Sequence, residues 1–378
     1  MKLIIFHPTL PAYRRDFFKA LDQKLKKEGT ELTIIHGTSF FNKPINPDAS
    51  PAYSTIPLKT KESNFFGFHI IRWKGVFKEI KRIKPDMVII LFCPGNVTLW
   101  LVQLYCYMRR IKVGLWGNGS GRREIKGLKK NLRGAFHKFF LRRADFHVCY
   151  GSKFQKELFE MGIDRSKVFV AQNTINVEKI LSASPDVNRN LNNEYFNFLY
   201  VGAIERKKNL DLTIKAIARL IREGHKIKFS IVGQPALDEL KALVIEEKME
   251  ENIFVLGFKP ESEIPSYFTE ADIFLLPVMG GLSINEAMAY GLPLISTIAD
   301  GTIVDLLYDG ENGYFLNEEP DVENLYETCK KAILGGKEKL EEMGTRSRQI
   351  IGEKALLSNM VSGFEKAINY GKEKLTKS

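Results

Sequence analysis

Cysteine is scarce in this chain of 378 residues, which has only four: Cys93, Cys106, Cys149 and Cys329. They stand far apart and mostly inside apolar segments, with no Cys-x-x-Cys pair and no Cys/His cluster at metal-ligand spacing. A disulfide framework or a cysteine-based zinc site needs such clusters. We therefore interpret the cysteines as reduced core residues and expect no metal site.

Long hydrophobic runs are also missing. No apolar run approaches the roughly 20 residues that span a bilayer. The opening stretch from Met1 to Pro8 is too short and too soon interrupted for a signal peptide, and it is typical of a first buried strand. These features predict a cytoplasmic protein.

Acidic residues are fewer than basic ones: the chain has 45 Asp and Glu but 56 Lys and Arg. Its formal net charge is therefore +11, and its pI is near 9.2. This excess indicates an anionic partner, which could be nucleic acid, an anionic membrane surface or a phosphorylated substrate. The composition, 44% hydrophobic and 27% charged, is that of a globular protein. A length of 378 residues suits two domains.

Strand-like and helix-like segments alternate along the chain. Clear examples are the apolar strand Met87 to Leu91 and the helices Val97 to Met108 and Leu210 to Arg222. Such alternation predicts an α/β protein with doubly wound parallel sheets. The linker candidate is a polar, turn-rich stretch. The predicted divisions are an N-terminal domain at 1–182, a linker at 183–195, a C-terminal domain at 196–359 and a last helix at 360–378.

The most informative stretch runs from Leu275 to Thr297. An apolar strand is followed by the pair Gly280-Gly281 and by a helix that begins at Leu282. Glycines let backbone N–H groups approach a ligand closely, and a helix start favours an anion, so a phosphate would fit there. Glu286, about one turn into the helix, could accept hydrogen bonds from sugar hydroxyls. Nucleotide sugars carry both groups, although a plain tight turn with a solvated glutamate is the alternative.

A second loop of this kind follows the strand Phe196 to Val201. Gly202 comes directly after the strand, and Arg206 and Lys208 precede the next helix. Amides, helix dipole and cations together make a phosphate-binding arrangement. Taken alone, three consecutive cations such as Arg206, Lys207 and Lys208 are more often solvated than functional.

The N-terminal half has a comparable loop after the strand that ends at Trp116, where Gly117 and Asn118 follow. Open α/β sheets place their ligands at the carboxyl ends of strands. The Asn118 amide can hold a sugar hydroxyl or a phosphate oxygen. A glycine-rich turn without a ligand is the alternative.

The most basic segment extends over residues 122–143, where apolar residues at three- and four-residue steps leave one cationic helix face. Such a helix can lie on an anionic membrane. The alternative is a helix that packs on the core and exposes its basic face to solvent.

The stretch Pro277 to Thr297 resembles the signature of the retaining glycosyltransferases of family 4, which have the GT-B fold of two Rossmann-like domains facing across a cleft. In that signature two glutamates eight positions apart flank a Gly-rich loop. Glu286 matches the second glutamate, and Val278 stands in place of the first.

Two further positions match or depart from the family. Lys208 matches the lysine that follows the family's Gly-Arg-Leu turn, with Ala203 in place of the arginine. Asn118 stands where many relatives have histidine.

The resemblance implies where the donor binds. Glu286 would hold the ribose, Lys208 with the help of Arg206 would neutralise the diphosphate, and backbone near Gly257 would contact the base. The implied donor-binding residues are Gly202, Lys208, Gly257, Phe258, Gly280, Gly281, Leu282, Ser283 and Glu286.

The resemblance also implies an acceptor site in the N-terminal domain. The segment Pro11 to Arg15 takes the place of a Gly-rich stretch, as in many members that build surface polysaccharides. The implied acceptor-binding residues are Tyr13, Arg14, Arg15, Gly117 and Asn118. Solvated arginines at an ordinary helix start are the alternative. In the GT-B fold the last helix typically crosses back to the first domain.

These expectations combine into a metal-independent, retaining glycosyltransferase without a cofactor, in which Asn118, Lys208 and Arg206 act at the reacting centre. Its partners would be a nucleotide-diphosphate sugar, a glycan or lipid-linked acceptor in surface polysaccharide synthesis, and an anionic membrane at the inner face of the plasma membrane.

Other functions remain open. Because Val278, Asn118 and Ala203 depart from the family, a catalytically inactive nucleotide-sugar-binding subunit is an alternative hypothesis. A nucleotide-sugar epimerase of the same fold would need a set of carboxylates and histidines that is not evident. Nucleic-acid binding ranks last because the sequence has no recognisable docking motif, and no such partner is expected.

Overall fold

The structure is a computed structural model that describes residues 1–40, 43–44, 52–65, 68–93, 95–119, 137–183, 192–235, 238–278, 281–298 and 301–376. The chain divides into two compact units. The first unit comprises Met1–Asn173 and Leu357–Ser378, and the second comprises Thr174–Leu356.

Strands and helices alternate in both units, as the sequence pattern predicts. The strands of the first unit are β1 (Lys2–His7), β2 (Glu31–Gly37), β3 (Ser39–Phe40), β4 (Lys43–Pro44), β5 (Ser54–Leu58), β6 (Thr60–Phe65), β7 (Phe68–Trp73), β8 (Met87–Leu91), β9 (Lys112–Gly117), β10 (Phe146–Cys149) and β11 (Val168–Val170). Those of the second unit are β12 (Phe196–Val201), β13 (Ile227–Val232), β14 (Ile253–Gly257), β15 (Ile273–Leu276), β16 (Leu294–Ser296) and β17 (Gly313–Phe315).

The helices are α1 (Arg15–Lys27), α2 (Val76–Ile83), α3 (Val97–Met108), α4 (Ser152–Glu160), α5 (Val177–Ala183), α6 (Leu210–Arg222), α7 (Asp238–Glu246), α8 (Ile264–Glu270), α9 (Ser283–Ala289), α10 (Val322–Leu334), α11 (Gly336–Lys354) and α12 (Leu357–Thr376). Short 3₁₀ turns occur at Ala12–Arg14, Arg165–Lys167, Arg206–Lys208 and Ile303–Asp305.

The main sheet of the first unit has the strand order β11-β10-β9-β8-β1-β2-β5, with every pair parallel. Helices cover both faces of such a sheet, which is why a central strand such as β8 is apolar throughout. The chain order reverses between β1 and β8, and ligands of open α/β sheets bind at such a reversal, beyond the carboxyl ends of the strands.

The sheet of the second unit has the order β14-β13-β12-β15-β16-β17, again with every pair parallel. This is the doubly wound order of a dinucleotide-binding fold, and its reversal lies between β12 and β15. The predicted fold class, two Rossmann-like parallel sheets, is confirmed.

The last helix, α12, belongs to the core of the first unit. The ring centroid of Phe364 lies 4.9 Å from those of both Phe17 in α1 and Trp116 in β9. All three side chains are fully buried. Tilted and edge-to-face contacts of this kind stabilise by about 0.5–1.5 kcal/mol beyond the buried area.

The chain enters the second unit at Thr174, earlier than the predicted linker at 183–195, of which residues 184–191 lie outside the described ranges. The reason is that α5 packs against the second unit, where Val177 is part of the apolar core. The buried Thr174 hydroxyl donates to the backbone oxygen of Ala355 at 2.5 Å and accepts from the Asn285 amide at 3.0 Å. One hydroxyl thus joins the first and last segments of this unit to α9.

Replacement of Thr174 by valine is expected to lower the free energy of unfolding by about 1–3 kcal/mol, because it leaves the buried Asn285 amide and Ala355 carbonyl short of a partner. Urea denaturation of the whole chain measures the change. Thr269→Val is the control, since the Thr269 hydroxyl is exposed and bonds only to carbonyls of its own helix. Equal stability of the two variants would contradict the assignment.

Candidate functional site

The two phosphate-binding loops predicted in the C-terminal half come together in the second unit. One follows β12 and the other follows β15, and these two strands are neighbours in the sheet at the point where the chain order reverses. The ammonium of Lys208 lies 3.5 Å from the backbone oxygen of Val278. Lys208 therefore extends from the first loop to the second.

Glycines allow the ends of β12, β13 and β14 to pack closely. The Gly202 amide donates to Val232 at 3.0 Å, and the Gly233 amide donates to Gly257 at 2.9 Å. A Cβ atom on Gly233 would lie 1.7 Å from the oxygen of Gly202, so no other residue fits there without moving the loop. This close approach fixes the backbone of the predicted diphosphate loop at Gly202.

The cations of this loop have different environments. Lys208 is half-buried at the end of the 3₁₀ turn, whereas the side chain of Arg206 is 84% exposed and forms an ion pair with Glu239 of α7 at 2.7 Å. Glu239 and Arg206 line a cavity of about 320 Å³ between the loop and α7. The predicted helper role of Arg206 stays a prediction, and it requires the guanidinium to leave Glu239.

The second loop leads into α9, which begins at Ser283, one residue after Leu282, and has seven residues. Gly281 is exposed and Ser283 is half-buried, while Gly280 lies outside the described residues. The amide of Ile284 donates to the oxygen of Gly281 at 3.2 Å. The amides of Ile284 and Asn285 thus donate within the turn, and the donors predicted for phosphate and sugar are the N–H groups of residues 280–283.

Glu286 lies on the first turn of α9 and is half-buried. Burial raises the pKa of its carboxyl to about 7, and the nearby carboxylate of Glu261 adds to the rise. An acid with such a pKa is partly protonated at neutral pH. Perturbed carboxyls of this kind are concentrated at functional sites.

The predicted base-contacting segment follows β14. Gly257 has a φ of 70°, a conformation that favours glycine, and it turns the chain so that the ring of Phe258 is 64% exposed. An exposed aromatic ring at the carboxyl edge of the sheet offers a flat apolar surface.

A larger cavity of the second unit, about 670 Å³, lies at the opposite edge, where Asn197, Lys228 and Asp272 mark the amino ends of strands. The buried carboxylate of Asp272 accepts from the ammonium of Lys337 at 2.8 Å and from the backbone N–H of Asn197 at 2.8 Å. Its charge is therefore neutralised within the protein. Ligands of open α/β sheets bind at the carboxyl edge, so we do not assign the donor to this cavity.

In the first unit, the predicted acceptor residues divide into exposed and buried ones. Tyr13, Arg15 and Asn118 are exposed, and Gly117 is buried at the end of β9. Arg14 is only 2% exposed, so the alternative of a solvated helix start is wrong for this residue.

The guanidinium of Arg14 is enclosed by side chains that lie at or just beyond the ends of other strands. Its carbon lies 5.2 Å from the ring centroid of Trp116 and 5.6 Å from that of Tyr150. It donates to the side-chain oxygen of Asn173 and, at 3.5 Å, to the hydroxyl of Tyr150. A cation over aromatic faces with polar partners is held in place, so we interpret Arg14 as a residue that positions these rings.

Other titratable groups of this unit are kept neutral. Burial, followed by the charge of Arg14, lowers the pKa of His7 to about 3. Burial raises the pKa of Tyr150 to about 12. His7 is thus neutral at physiological pH, and its ring lies 5.5 Å from that of Trp116.

Sequence reasoning missed His7, Tyr150 and Asn173. Each follows or ends a parallel strand, so the rule that selected Asn118 could have found them. Asn285 and Thr174 were missed as well, and no local pattern marks their contact.

Among the residues that the structure describes, no three His, Cys, Asp or Glu side chains converge as a possible metal site. Within the same ranges, no helix has the length and apolar character that crossing a bilayer demands. Residues 120–136, most of the predicted basic helix, lie outside the described part of the chain.

Comparisons with known proteins agree with this geometry. Residues 186–350 match the family described as Glycosyl transferases group 1. An amylovoran biosynthesis glycosyltransferase of Erwinia amylovora is 30% identical over 174 residues, which cover 43% of this chain and 42% of the relative. The chain spans about half the length of the curated relatives that it matches.

Solved structures match over the whole chain. A glycosyltransferase of Rickettsia africae has a TM-score of 0.71 at 17% identity and covers 100% of this chain and 99% of its own. An Anabaena protein solved with UDP and glucose has a TM-score of 0.69 at 14% identity and covers 98% of this chain and 99% of its own. Likeness at this identity shows the fold, which is GT-B. Residues 186–350 of this chain thus match the glycosyl transferases group 1, and the chain as a whole has the GT-B fold.

Proposed function

We propose that this protein transfers a sugar, with retention of anomeric configuration, from a nucleotide-diphosphate sugar to a glycan or lipid-linked glycan acceptor in surface polysaccharide synthesis. The observation that carries the proposal is the contact of Lys208 with Val278, which joins the two loops predicted to bind phosphate at the reversal of the sheet. The relative named for amylovoran biosynthesis supports the acceptor class. The Anabaena structure supports a UDP-type donor at this fold.

In this proposal the second unit binds the donor. The ammonium of Lys208 neutralises the diphosphate, and the backbone of Gly202 and of the segment 281–283 donates hydrogen bonds to phosphate and sugar. Glu286 accepts from the ribose hydroxyls, and Phe258 with Gly257 borders the base. The positive charge of a lysine ammonium can take the place that a metal ion holds in other transferases.

Transfer breaks the bond between the anomeric carbon and the diphosphate oxygen. The acceptor oxygen forms its bond to the same face of that carbon, and its proton passes to the departing phosphate oxygen. Charge develops on the diphosphate as the bond breaks, so the positive charge of Lys208 stabilises the transition state more than the ground state. Asn118, in the first unit, would hold a hydroxyl of the acceptor.

The first unit offers Tyr13, Arg15 and Asn118 to the acceptor, because these side chains are exposed at or beyond the carboxyl ends of β1 and β9. Arg14 contributes indirectly by fixing the rings of Trp116 and Tyr150. We place the protein in the cytoplasm at the inner face of the plasma membrane, where lipid-linked acceptors are presented.

Calorimetric titration with UDP, GDP, dTDP and ADP tests the donor site directly. We expect micromolar binding of one diphosphate, followed by transfer from a matching nucleotide sugar with retained configuration in the NMR spectrum of the product. No binding of any diphosphate would overturn the assignment of the second unit.

A second candidate, an inactive nucleotide-sugar-binding subunit, is favoured by Val278, Asn118 and Ala203, which stand in place of a family glutamate, histidine and arginine. It predicts diphosphate binding with neither transfer nor hydrolysis of the bound donor. The same titration followed by a hydrolysis assay separates the two candidates.

A further inference from the structure

The helix α3 has an unusual composition for a surface helix, since none of its 12 residues is charged. Its inner face is buried, and its outer face leaves Val97, Leu101 and Met108 exposed by 37%, 49% and 73%. These positions are separated by four and seven residues, so they lie along one stripe of the helix. Leu104, on the same stripe, is half-buried.

The stripe is extended by the neighbouring helical residues 137–142. The side chain of Gln103 donates to the backbone oxygen of Phe140 at 2.8 Å, and the rings of Trp100 and Phe140 lie 4.4 Å apart. These buried contacts hold the two helices together. The two helices therefore form one continuous surface.

Two exposed aromatic rings and one cation connect the helices on the outside. Tyr107 and Phe139 are 58% and 43% exposed. The guanidinium carbon of Arg143 lies 5.0 Å from the Tyr107 centroid and 4.4 Å from the Phe139 centroid. Aromatic rings with adjacent cations are the side chains that anchor proteins at the membrane–water interface.

The rest of the rim is also cationic. The exposed cations are Arg109, Arg110, Lys138, Arg142 and Arg143. The sequence contains no Asp or Glu over residues 97–112 or 137–144. The apolar stripe is therefore bordered by positive charge, which is complementary to an anionic surface.

We propose that this surface, which we call the α3 face, docks on an anionic lipid bilayer, with α3 lying in the plane of the interface. The stripe would enter the headgroup boundary while the cations pair with lipid phosphates. A second copy of the chain is disfavoured as the occupant, because a twofold interface would bring the same cations against each other. The proposal does not rest on sugar transfer.

Cosedimentation with vesicles tests the α3 face. Vesicles of phosphatidylcholine mixed with phosphatidylglycerol are expected to bind the protein, and vesicles of phosphatidylcholine alone are expected to bind it at least about tenfold more weakly, because each rim cation contributes about 1 kcal/mol, or about fivefold. Lys138→Gln and Arg110→Gln should each lower binding to the anionic vesicles by about that fivefold.

The apolar stripe is tested by the double variant Leu101→Glu and Met108→Glu, which should lower the partition coefficient by about tenfold or more. The matched control is Ile245→Glu with Leu334→Glu in the second unit, because these side chains are 61% and 69% exposed and the change in charge is the same. Both variants alter exposed positions, and circular dichroism verifies their folding.

Three results would overturn the proposal: no binding of the unaltered protein to anionic vesicles, an equal loss in the control variant, or concentration-dependent dimerisation that the Leu101 and Met108 changes abolish. Vesicle binding needs neither donor nor acceptor. Its failure therefore leaves the proposed transfer untouched, and a failure of transfer leaves the α3 face untouched.

Discussion

Replacement of Lys208 by alanine is expected to reduce kcat/KM for sugar transfer by about 10²–10³-fold, the loss typical when one preorganised donor to developing negative charge is removed. The reason is that the ammonium of Lys208 reaches the loop after β15, where it lies 3.5 Å from the oxygen of Val278. Steady-state transfer assays and calorimetric titration with the diphosphate measure the effect. Affinity for the diphosphate should fall together with turnover.

Lys207→Ala is the matched control for this prediction. Lys207 is the preceding cation of the same turn, but its side chain is 57% exposed and paired with Glu205 at 2.7 Å. The control should change kcat/KM by less than about threefold, as expected for an exposed ion pair. If both lysine variants lost activity equally, the effect would be one of overall charge and the assignment of Lys208 would be wrong.

Glu286 is expected to make stability depend on pH. The pKa of its carboxyl is about 7 in the folded protein, above the ordinary value of 4.5. Between these two values the unfolded chain has lost the proton while the folded protein keeps it, so the free energy of unfolding falls as pH rises. The decrease is at most about 3 kcal/mol and is complete above about pH 8.

Glu286→Gln removes this ionisation, so the variant should lack that component of the pH profile and be more stable than the unaltered protein at about pH 8. Urea denaturation across about pH 5 to pH 8 measures both profiles. Glu250→Gln, at an exposed position, should leave the profile unchanged. A profile for Glu286→Gln that coincides with that of the unaltered protein would show that another group causes the dependence.

The same carboxyl is expected to make nucleotide binding depend on pH. Ribose hydroxyls donate more strongly to a carboxylate than to a neutral carboxyl, so diphosphate affinity should increase as pH rises through about 7, and Glu286→Gln should remove the increase. This outcome distinguishes a ribose contact from a purely structural role of Glu286.

The local sequence pattern was sufficient to predict the type and position of many elements. The strand Met87–Leu91 and the helices Val97–Met108 and Leu210–Arg222 occur at the predicted residues. Each is a strongly apolar or strongly periodic segment with a turn residue at its boundary, which is where pattern reasoning works best. The segment from Lys59 to Lys84 mixes aromatic and apolar residues with Lys and Arg, and there the structure forms the antiparallel pair β6–β7 followed by α2. The polar β6 strand lacks the alternation that would mark it.

Some features of the predicted site could be read from the sequence, and others could not. The loop after β12 and the loop after β15 were each visible as glycine between a strand and the following helix. The burial of Arg14 was not visible, because an arginine at a helix start is usually solvated, and here Trp116, Tyr150 and Asn173 from three later segments enclose it.

The sequence by itself determined the order and type of most elements, the two parallel sheets and the loops that can hold phosphate, because these follow from periodicity and from glycine placed after strands. Only the tertiary structure decided that Lys208 faces Val278, that Thr174 joins Asn285 to Ala355, and that the outer side of α3 is exposed. The physical reason is that α3 is apolar on every side, and a periodic pattern cannot tell which side a neighbour covers. Contacts between residues distant in sequence depend on which strands become neighbours, and that order is set by packing of the whole sheet.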